Sequence, residues 1–293
     1  MSEGGKFLFV INPISGDLDK AEIIASVEQR AKEHRIALIP YETTGKADEQ
    51  KIRELYEAHQ PERILITGGD GTVKMVAEAL EEVDVVMGIL PGGSANGLSV
   101  DLNFPKDINE VIEIAFGDSH LEVDMVEING HRSLHLSDIG LNAELIRNYE
   151  QSSMRGKLGY VLQAINTLTD DELPFDAKVE ANGEVLETTA KMIVIANSKK
   201  YGTGVTINPI GEMNDGKFEI VIIKELDLIL LTKIITGNFP FNDETVKLIS
   251  TEKATITTNV PVHFQVDGEY LNEIDRLDIS ILPHRMKIAV PST

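Results

Sequence analysis

A glycine-rich stretch at residues 67–72 constrains the fold of this chain more than any other feature. Its sequence, Thr-Gly-Gly-Asp-Gly-Thr, follows the apolar run 64–66 and precedes a helical pattern. Glycine lets the main chain approach a ligand closely, and the free N–H groups at a helix N-terminus favour phosphate. Asp70, inside this turn, would be repelled by a phosphate unless a divalent cation or ordered water joined them. The stretch therefore indicates Mg²⁺-nucleotide chemistry.

The same stretch is also compatible with a purely structural turn between a strand and a helix. It lacks the Gly-Lys-Ser or Gly-Lys-Thr of a Walker loop and the Gly-x-Gly-x-x-Gly of the dinucleotide fingerprint. Spacing alone leaves both interpretations open.

The N-terminal part of the chain alternates strand and helix patterns. The predicted strands are 7–11, 36–41, 64–66 and 85–90, and the predicted helices are 18–34, 47–59, a segment after Gly71, and 108–116. This alternation predicts a parallel sheet covered by helices on both faces. Ligands of such sheets bind beyond the carboxyl ends of the strands. The segments 12–16, 68–72 and 92–97 all follow predicted strands there.

The pattern changes after about Val123. Asn-Gly at 129–130 and 182–183, and Asp-Gly at 215–216 and 267–268, are hairpin signals. Strands are predicted at 191–196, 218–223, 254–258 and 262–266, two short strands within 277–290, and helices at 143–150, 157–169 and 226–236. We therefore predict an α/β domain at 1–123 and a mostly antiparallel β domain at 124–276, with 277–293 packing back onto one of them.

Composition limits the partners of the chain. Its 293 residues include no cysteine, which excludes disulfides, thiolate metal sites and a cysteine nucleophile. A net charge of −21 argues against nucleic acid as a partner, because phosphate neutralisation needs basic patches. The N-terminus lacks the pattern of a signal peptide, so we expect a cytoplasmic protein. His131 and His135 lack a third ligand, and the absence of a Gly-x-Ser-x-Gly elbow leaves acyl transfer unsupported.

The second half carries an acidic cluster around residues 201–217 and an Asp-Gly-Glu at 267–269. Carboxylates at hairpin tips are often only turn formers. If both tips face the nucleotide loops, one could hold a metal while the other accepts a proton from an attacking hydroxyl.

Taken together, these motifs resemble the diacylglycerol kinase catalytic-domain family, which includes bacterial lipid kinases and sphingosine kinases. Five segments match in order over nearly the whole chain: Asn-Pro-x-Ser-Gly at 12–16, Gly-Gly-Asp-Gly-Thr at 68–72, Pro-x-Gly-Ser-x-Asn at 91–96, the glycine-rich stretch 201–216, and Val-Asp-Gly-Glu at 266–269. The resemblance implies an N-terminal α/β nucleotide domain, similar to that of NAD kinases, and a C-terminal β-sandwich. It also implies transfer of the γ-phosphate of ATP to a lipid hydroxyl such as that of diacylglycerol, with transient contact to a membrane surface.

The resemblance also implies roles for particular residues. The nucleotide and its phosphates would be bound by Asn12, Pro13, Ser15, Gly16, Thr43, Gly68, Gly69, Asp70, Gly71, Thr72, Lys74, Ser94 and Asn96. Asp70 and Asp124 would belong to a Mg²⁺ network. A structural metal would be held by Glu212, Asp215 and the carbonyl of Lys217. Catalysis would involve Glu269 as general base, with Asp215, Asp267 and Asp70, and the segment 157–168 would line the acyl groove.

Two motifs depart from the family pattern. Lys74 and Met75 stand where the family usually has Asn-Glu, and Gly97 replaces an aspartate of the metal network. These changes leave two alternatives open: a nucleotide-binding protein with weak or lost transfer, acting as a sensor or scaffold, and a kinase of a soluble substrate. NAD kinases share the Gly-Gly-Asp-Gly loop, and the negative charge suits a soluble partner. An edge strand in the second domain would allow a homodimer.

Overall fold

The computed structural model describes residues 4–16, 20–81, 83–93, 96–140, 173–200, 206–225 and 244–292. The chain divides into a first unit, Met1–Val123 with His284–Thr293, and a second unit, Asp124–Pro283. The predicted helices at 143–150, 157–169 and 226–236, and the glycines near 202–204, lie outside the described residues. Within the described residues, no helix combines the length and apolarity needed to cross a bilayer.

The first unit is built on a parallel sheet. Its strands are β1 (Lys6–Ile11), β2 (Ala37–Glu42), β3 (Arg63–Gly68) and β4 (Val86–Pro91). Its helices are α1 (Ala21–Glu33), α2 (Asp48–His59), α3 (Asp70–Ala79), α4 (Gly97–Asp101) and α5 (Ile108–Phe116). The strands pair in parallel in the order β4-β3-β1-β2. This confirms the α/β prediction; the short helix α4 was not predicted.

Apolar spacing explains how the helices cover this sheet. Ile23, Val27 and Ala31 of α1 recur every four residues, are buried, and pack with Phe7 and Phe9 of β1. Every residue of β3 is buried, as expected for a central strand covered on both faces. Each fully buried aliphatic or aromatic side chain contributes about 1.5–3 kcal/mol. Burial against the helices therefore holds the carboxyl ends of the strands in place.

The second unit is a set of antiparallel strands. Along the chain they are β5 (His120–Ile128, which begins in the first unit), β6 (His131–Ser133), β7 (Leu136–Gly140), β8 (Phe175–Ala181), β9 (Glu184–Ala190), β10 (Met192–Ala196), β11 (Phe218–Ile223), β12 (Val246–Thr251), β13 (Lys253–Val266) and β14 (Glu269–Ala289, which ends in the first unit). The order is β12-β11-β10-β7-β13, and β13 also pairs with β8 and β14. Successive residues of β10 enter two different hydrophobic clusters, so both faces of this strand are buried. The antiparallel prediction is confirmed.

Three of the four hairpin predictions are confirmed by the backbone. Asn129-Gly130, Asn182-Gly183 and Asp267-Gly268 each have two consecutive residues with positive φ, as two-residue hairpin turns require. The hairpin prediction at Asp215-Gly216 is wrong. The loop before β11 instead lies against β5, because the Oδ2 atom of Asp124 accepts a hydrogen bond from the Gly216 N–H at 2.8 Å.

Two strand predictions need correction. The segments 254–258 and 262–266 are one strand, β13, whose pairing with β14 shifts register between Thr257 and Val262. The two short strands predicted within 277–290 belong to the single long strand β14. Its end pairs in parallel with β4, with Lys287 opposite Val86 and Ile288 opposite Met87. Strands β7 and β12 were not predicted, and the strands flanking the turns at 129–130 and 182–183 were predicted only through those turns.

Candidate functional site

Three loops of the first unit meet beyond the carboxyl ends of β1, β3 and β4. The Asn12 N–H donates to the Thr67 carbonyl at 2.9 Å, and the Asn12 Nδ2 atom donates to the Thr72 Oγ1 atom at 2.9 Å. The Gly92 N–H donates to the Gly68 carbonyl at 2.9 Å. The Ser15 hydroxyl lies 3.2 Å from the Gly92 carbonyl and donates to it. The segments 12–16, 68–72 and 92–93 therefore lie together in the structure.

Glycine is required where these loops touch. A Cβ atom on Gly93 would overlap the Cα of Gly69, and one on Gly16 would lie 2.7 Å from the Gly92 carbonyl oxygen. Gly16 also has a φ of +62°, which side-chain-bearing residues rarely adopt. We call the glycines of the three loops the glycine cradle: Gly16, Gly68, Gly69, Gly92 and Gly93. Close packing of these backbones holds the three loops together at the carboxyl ends of the strands, where α/β sheets bind ligands.

Asp70 joins the second loop to helix α4. Its Oδ2 atom accepts a hydrogen bond from the Gly97 N–H at 2.7 Å, and its Oδ1 atom accepts one from the Leu98 N–H at 3.0 Å. Asp70 therefore caps the start of α4 from a distant part of the chain. A carboxylate oxygen can accept more than one hydrogen bond or coordinate a cation. A role in a Mg²⁺ network is chemically compatible with these bonds and stays a prediction.

The side chain of Asn96 shapes the third loop. Its Oδ1 atom accepts from the Gly93 N–H, and its Nδ2 atom donates to the Gly93 carbonyl, both at 2.8 Å. With a φ of +53°, Asn96 closes a tight turn. Its contact with a nucleotide stays a prediction, and Ser94 lies outside the described residues.

Lys20 was missed by the sequence analysis. It is only 6% exposed at the start of α1, and its ammonium donates to the Ser15 carbonyl. Its Cε atom would lie 3.1 Å from a Cβ on Gly92. The signal that could have found it is a lysine at the first turn of a helix that follows the Asn-Pro-x-Ser-Gly motif.

Other predicted nucleotide residues border the same loops. The Thr43 N–H donates to the Ile11 carbonyl at 2.8 Å, so Thr43 lies beside the end of β1. Pro13 and Gly71 are exposed, and Lys74 is half-buried on α3. The structure thus brings together the described members of the predicted nucleotide set; their binding roles stay predictions.

In the second unit, the predicted metal residues surround one buried carboxylate. Asp124 is fully buried; its N–H donates to the Met213 carbonyl at 2.7 Å, and its carboxylate accepts from the Gly216 N–H. Asp215 is exposed and accepts from the Lys217 N–H at 3.0 Å. Glu212 is exposed as well. Asp124 thereby fixes the loop that carries the other predicted ligands.

The donor chemistry of this loop fits a hard cation. Two carboxylates and a main-chain carbonyl are the oxygen ligands that Mg²⁺ and Ca²⁺ prefer. Among the described residues, no three His, Asp or Glu side chains form a metal-binding group. The predicted set has only two such side chains and a carbonyl, so it relies on the main chain and on water.

Asp267 and Glu269 occupy contrasting environments. The Asp267 carboxylate accepts from the Leu134 N–H at 2.9 Å, the His135 N–H at 2.8 Å and the Ser133 hydroxyl at 3.1 Å. These bonds fix the turn at the start of β14. Glu269, two residues later, is exposed. The arrangement suits Asp267 to positioning and Glu269 to contact with a substrate; both roles stay predictions.

Glu219 is a second buried ionisable residue that the sequence analysis missed. It is 3% exposed on β11; it accepts from the Asn208 Nδ2 atom at 2.7 Å and from the Ser250 hydroxyl at 2.8 Å. Burial raises the pKa of its carboxyl, although the hydrogen bonds from Asn208 and Ser250 oppose this rise. The signal was a charged residue inside the apolar run 218–223. Glu219 ties the loop near Asn208 to two strands.

Comparison with known proteins agrees with these two units. Residues 6–128 match the family model described as the diacylglycerol kinase catalytic domain. Residues 137–290 match the model described as the YegS C-terminal NAD kinase beta sandwich-like domain. These matches confirm the predicted fold class, with an α/β domain followed by a β-sandwich.

Individual relatives are distant in sequence. A Bacillus subtilis protein named diacylglycerol kinase is 22% identical, over 89% of this chain and 88% of its own. An uncharacterized Synechocystis protein is 28% identical over 78% of this chain, which spans only 54% of that relative's length. A crystal structure of a diacylglycerol kinase from Bacillus anthracis has a TM-score of 0.75 and 19% identity, covering 99% of this chain and 98% of its own. This last likeness shows the fold alone.

Proposed function

Since the chain belongs to the diacylglycerol kinase catalytic-domain family, we propose that it transfers the γ-phosphate of ATP to the hydroxyl of diacylglycerol or a similar lipid. The observation that carries the proposal is the glycine cradle, which lies in the segment that matches the kinase model. Three loops there present main chain at the carboxyl ends of parallel strands, where α/β sheets bind ligands. The family indicates a lipid kinase; the phosphate donor and the lipid are the finer part of the proposal.

The residues of the cradle would act mainly by positioning. In phosphoryl transfer the protein contributes chiefly geometry and charge neutralisation. Asn12, Ser15 and Thr72 would orient the phosphates, with Lys74 as a nearby cation. Glu269 would take the proton of the lipid hydroxyl as that oxygen attacks phosphorus.

A divalent cation is part of the proposal. Bound Mg²⁺ would neutralise charge on the transferring phosphoryl group. Asp70 and Asp124 would hold its water shell. Glu212, Asp215 and the carbonyl of Lys217 would hold a second, structural ion that keeps the loop before β11 in shape.

The proposal includes a location and partners. The protein would work in the cytoplasm, where ATP is supplied, and would touch the membrane only briefly. A homodimer could form through β9, which pairs with a single neighbour, β8, among the described strands.

The test is transfer of labelled phosphate from ATP to mixed micelles, with and without Mg²⁺. Separate micelles carry diacylglycerol, monoacylglycerol, ceramide, sphingosine or phosphatidylglycerol, and lipid-free detergent is the control. Mg²⁺-dependent labelling of one lipid supports the proposal and identifies the acceptor. Measurable ATP binding without labelling of any lipid contradicts it.

The general base has its own test. Glu269→Gln should abolish transfer and leave ATP affinity unchanged, because the amide cannot accept the hydroxyl proton. Glu273→Gln, an exposed change on the same strand, is the matched control and should retain activity. Turnover retained by Glu269→Gln would overturn the assignment.

A second candidate function rests on the departures at residues 74, 75 and 97. At position 97 the chain has a glycine where the family has an aspartate, so one carboxylate of the implied metal network is missing. This change favours a nucleotide-binding protein with weak or lost transfer. The net charge of −21 separately favours a kinase of a soluble substrate. Labelling of a soluble acceptor such as NAD in the same assay would support that last alternative.

A further inference from the structure

Lys20 places a positive charge among the three loops of the glycine cradle. Its side chain is 6% exposed and reaches the Ser15 carbonyl of the first loop. Its Cε atom lies beside Gly92 of the third loop. A Cβ atom added to Gly92 would lie 3.1 Å from that Cε atom and 3.3 Å from the Gly68 nitrogen of the second loop. The ammonium therefore lies where the loops after β1, β3 and β4 converge.

This charge is poorly compensated within the part of the chain that the structure describes. A lysine ammonium has three donors, and its hydrogen bond there is to the neutral Ser15 carbonyl. No described carboxylate forms an ion pair with it. The carboxylate of Asp70, in the second loop, accepts hydrogen bonds from the main-chain N–H groups of Gly97 and Leu98. An anion bound beside a buried ammonium lowers the cost of burying that charge in a folded protein.

The surroundings limit which anion can enter. The cradle residues have no side chains, and added Cβ atoms on Gly16 or Gly93 would collide with main-chain atoms. The loops around Lys20 therefore pack tightly on one another, and in this region they offer an anion main-chain groups and few side chains. A tetrahedral phosphate with several acceptor oxygens suits these surroundings, and it can bind the remaining ammonium donors.

We propose that Lys20 is a phosphate-binding residue of this site, with its ammonium contacting a phosphate oxygen of the bound nucleotide. The inference rests on the proposed function, because it assigns a residue within the same nucleotide site. It also offers an electrostatic account of Gly97: where a family carboxylate is missing, a protein cation balances part of the phosphate charge.

The test is calorimetric titration of wild type and Lys20→Met with ADP, pyrophosphate and adenosine, together with thermal unfolding without ligand. We expect the affinity for ADP and pyrophosphate to fall at least about tenfold, and adenosine binding to be unchanged. The melting temperature of the ligand-free protein should stay equal or rise, because methionine fills the same space without a buried charge. Lys51→Met, an exposed lysine on α2, is the control and should leave every affinity unchanged.

A second variant keeps the test informative if Lys20→Met fails to fold. Lys20→Gln keeps a donor for the Ser15 carbonyl and removes the charge, and it should show the same selective loss of pyrophosphate affinity. Unchanged pyrophosphate affinity in either variant overturns the inference. A melting temperature below that of wild type in both variants also overturns the inference, because Lys20 would then serve only to hold the first loop. If wild type binds neither ADP nor pyrophosphate, the proposed function fails as well. If wild type binds both and the variants bind them as tightly as wild type does, this inference alone fails.

Discussion

The carboxylate of Asp48 is the main acceptor in the loop that joins β2 to α2. It is 6% exposed and accepts from the Tyr41 hydroxyl at 2.6 Å, the Thr44 N–H at 2.9 Å and the Gly45 N–H at 2.7 Å. Burial raises the pKa of Asp48, but these hydrogen bonds together outweigh burial and lower it. Burial and the nearby Asp48 raise the pKa of Tyr41 to about 12. One ionised side chain thus holds the loop that contains Thr43.

Asp48→Asn should therefore destabilise the protein in a pH-dependent way. A folded-state pKa below the ordinary value, about 3.9 for aspartate, means that the stabilisation is present above about pH 4 and is lost as pH falls through the folded pKa. Urea unfolding of wild type and variant should differ by about 2–3 kcal/mol at pH 7 and by clearly less at pH 3. Asp275→Asn, an exposed change, is the control. An equal difference at both pH values would contradict the assignment.

At the scale of the elements, the turns and loops determine how strands are placed. Asn-Gly and Asp-Gly pairs form two-residue turns at 129–130, 182–183 and 267–268 because asparagine, aspartate and glycine tolerate positive φ. The loop after β4 obeys a different constraint, since Gly93 packs directly on the main chain of Gly69. Close approach of two backbones, and not local conformation, requires glycine there.

A matched pair of glycine substitutions tests this distinction. Gly93→Ala should lower the free energy of unfolding by about 1–3 kcal/mol, because its Cβ meets main chain that cannot move aside. Gly71→Ala adds a Cβ that meets nothing within 4 Å in the first turn of α3; it should leave stability equal or slightly higher, because alanine favours a helix over glycine. Equal stabilities of the two variants in urea would contradict the packing account.

At the scale of the whole molecule, the first unit is built from two separate parts of the chain. Residues 284–293 return after the entire second unit, and Ile288 pairs with Met87 of β4. Ile288 and Ala289 are fully buried. The first unit therefore depends on the last residues described in the chain.

Ile288→Ala should destabilise the protein by about 2–5 kcal/mol, because it leaves a cavity at a buried strand pair. Val260→Ala is the matched control, since Val260 is 49% exposed on β13 and its truncation should cost little. Thermal or urea unfolding measures both. A loss for Ile288→Ala no larger than the control would show that the returning strand contributes little.

The net charge of −21 also acts on the whole molecule. If the lipid kinase proposal is right, transfer to diacylglycerol in phosphatidylcholine vesicles should be faster than in vesicles that also contain anionic phosphatidylglycerol. The difference should shrink with added salt, because the Debye length falls from about 30 Å at 0.01 M to about 10 Å at 0.1 M. Faster transfer on anionic vesicles at low salt would instead indicate a local basic membrane-binding face.

Local sequence patterns predicted much of the fold. Apolar spacing predicted α5 with the bounds Ile108–Phe116 and β11 with the bounds Phe218–Ile223. Strand–helix alternation placed the three cradle loops at one edge of a parallel sheet. The short strand β7 and helix α4 escaped prediction, because each has only five residues and contacts a distant part of the chain. The Asp267 N–H donates to the Leu136 carbonyl of β7, and Asp70 caps α4.

The sequence by itself determined the two kinds of domain and the loops of the candidate site, because hydrophobic period, turn residues and ordered motifs act over a few neighbouring residues. Only the tertiary structure decided that Lys20 is buried at the cradle, that Glu219 is hydrogen-bonded to a serine 31 residues away, and that Asp70 caps a helix 27 residues away. The physical reason is that burial and electrostatic environment depend on groups far apart in the chain. Packing brings those groups together, so no local sequence pattern predicts their contacts.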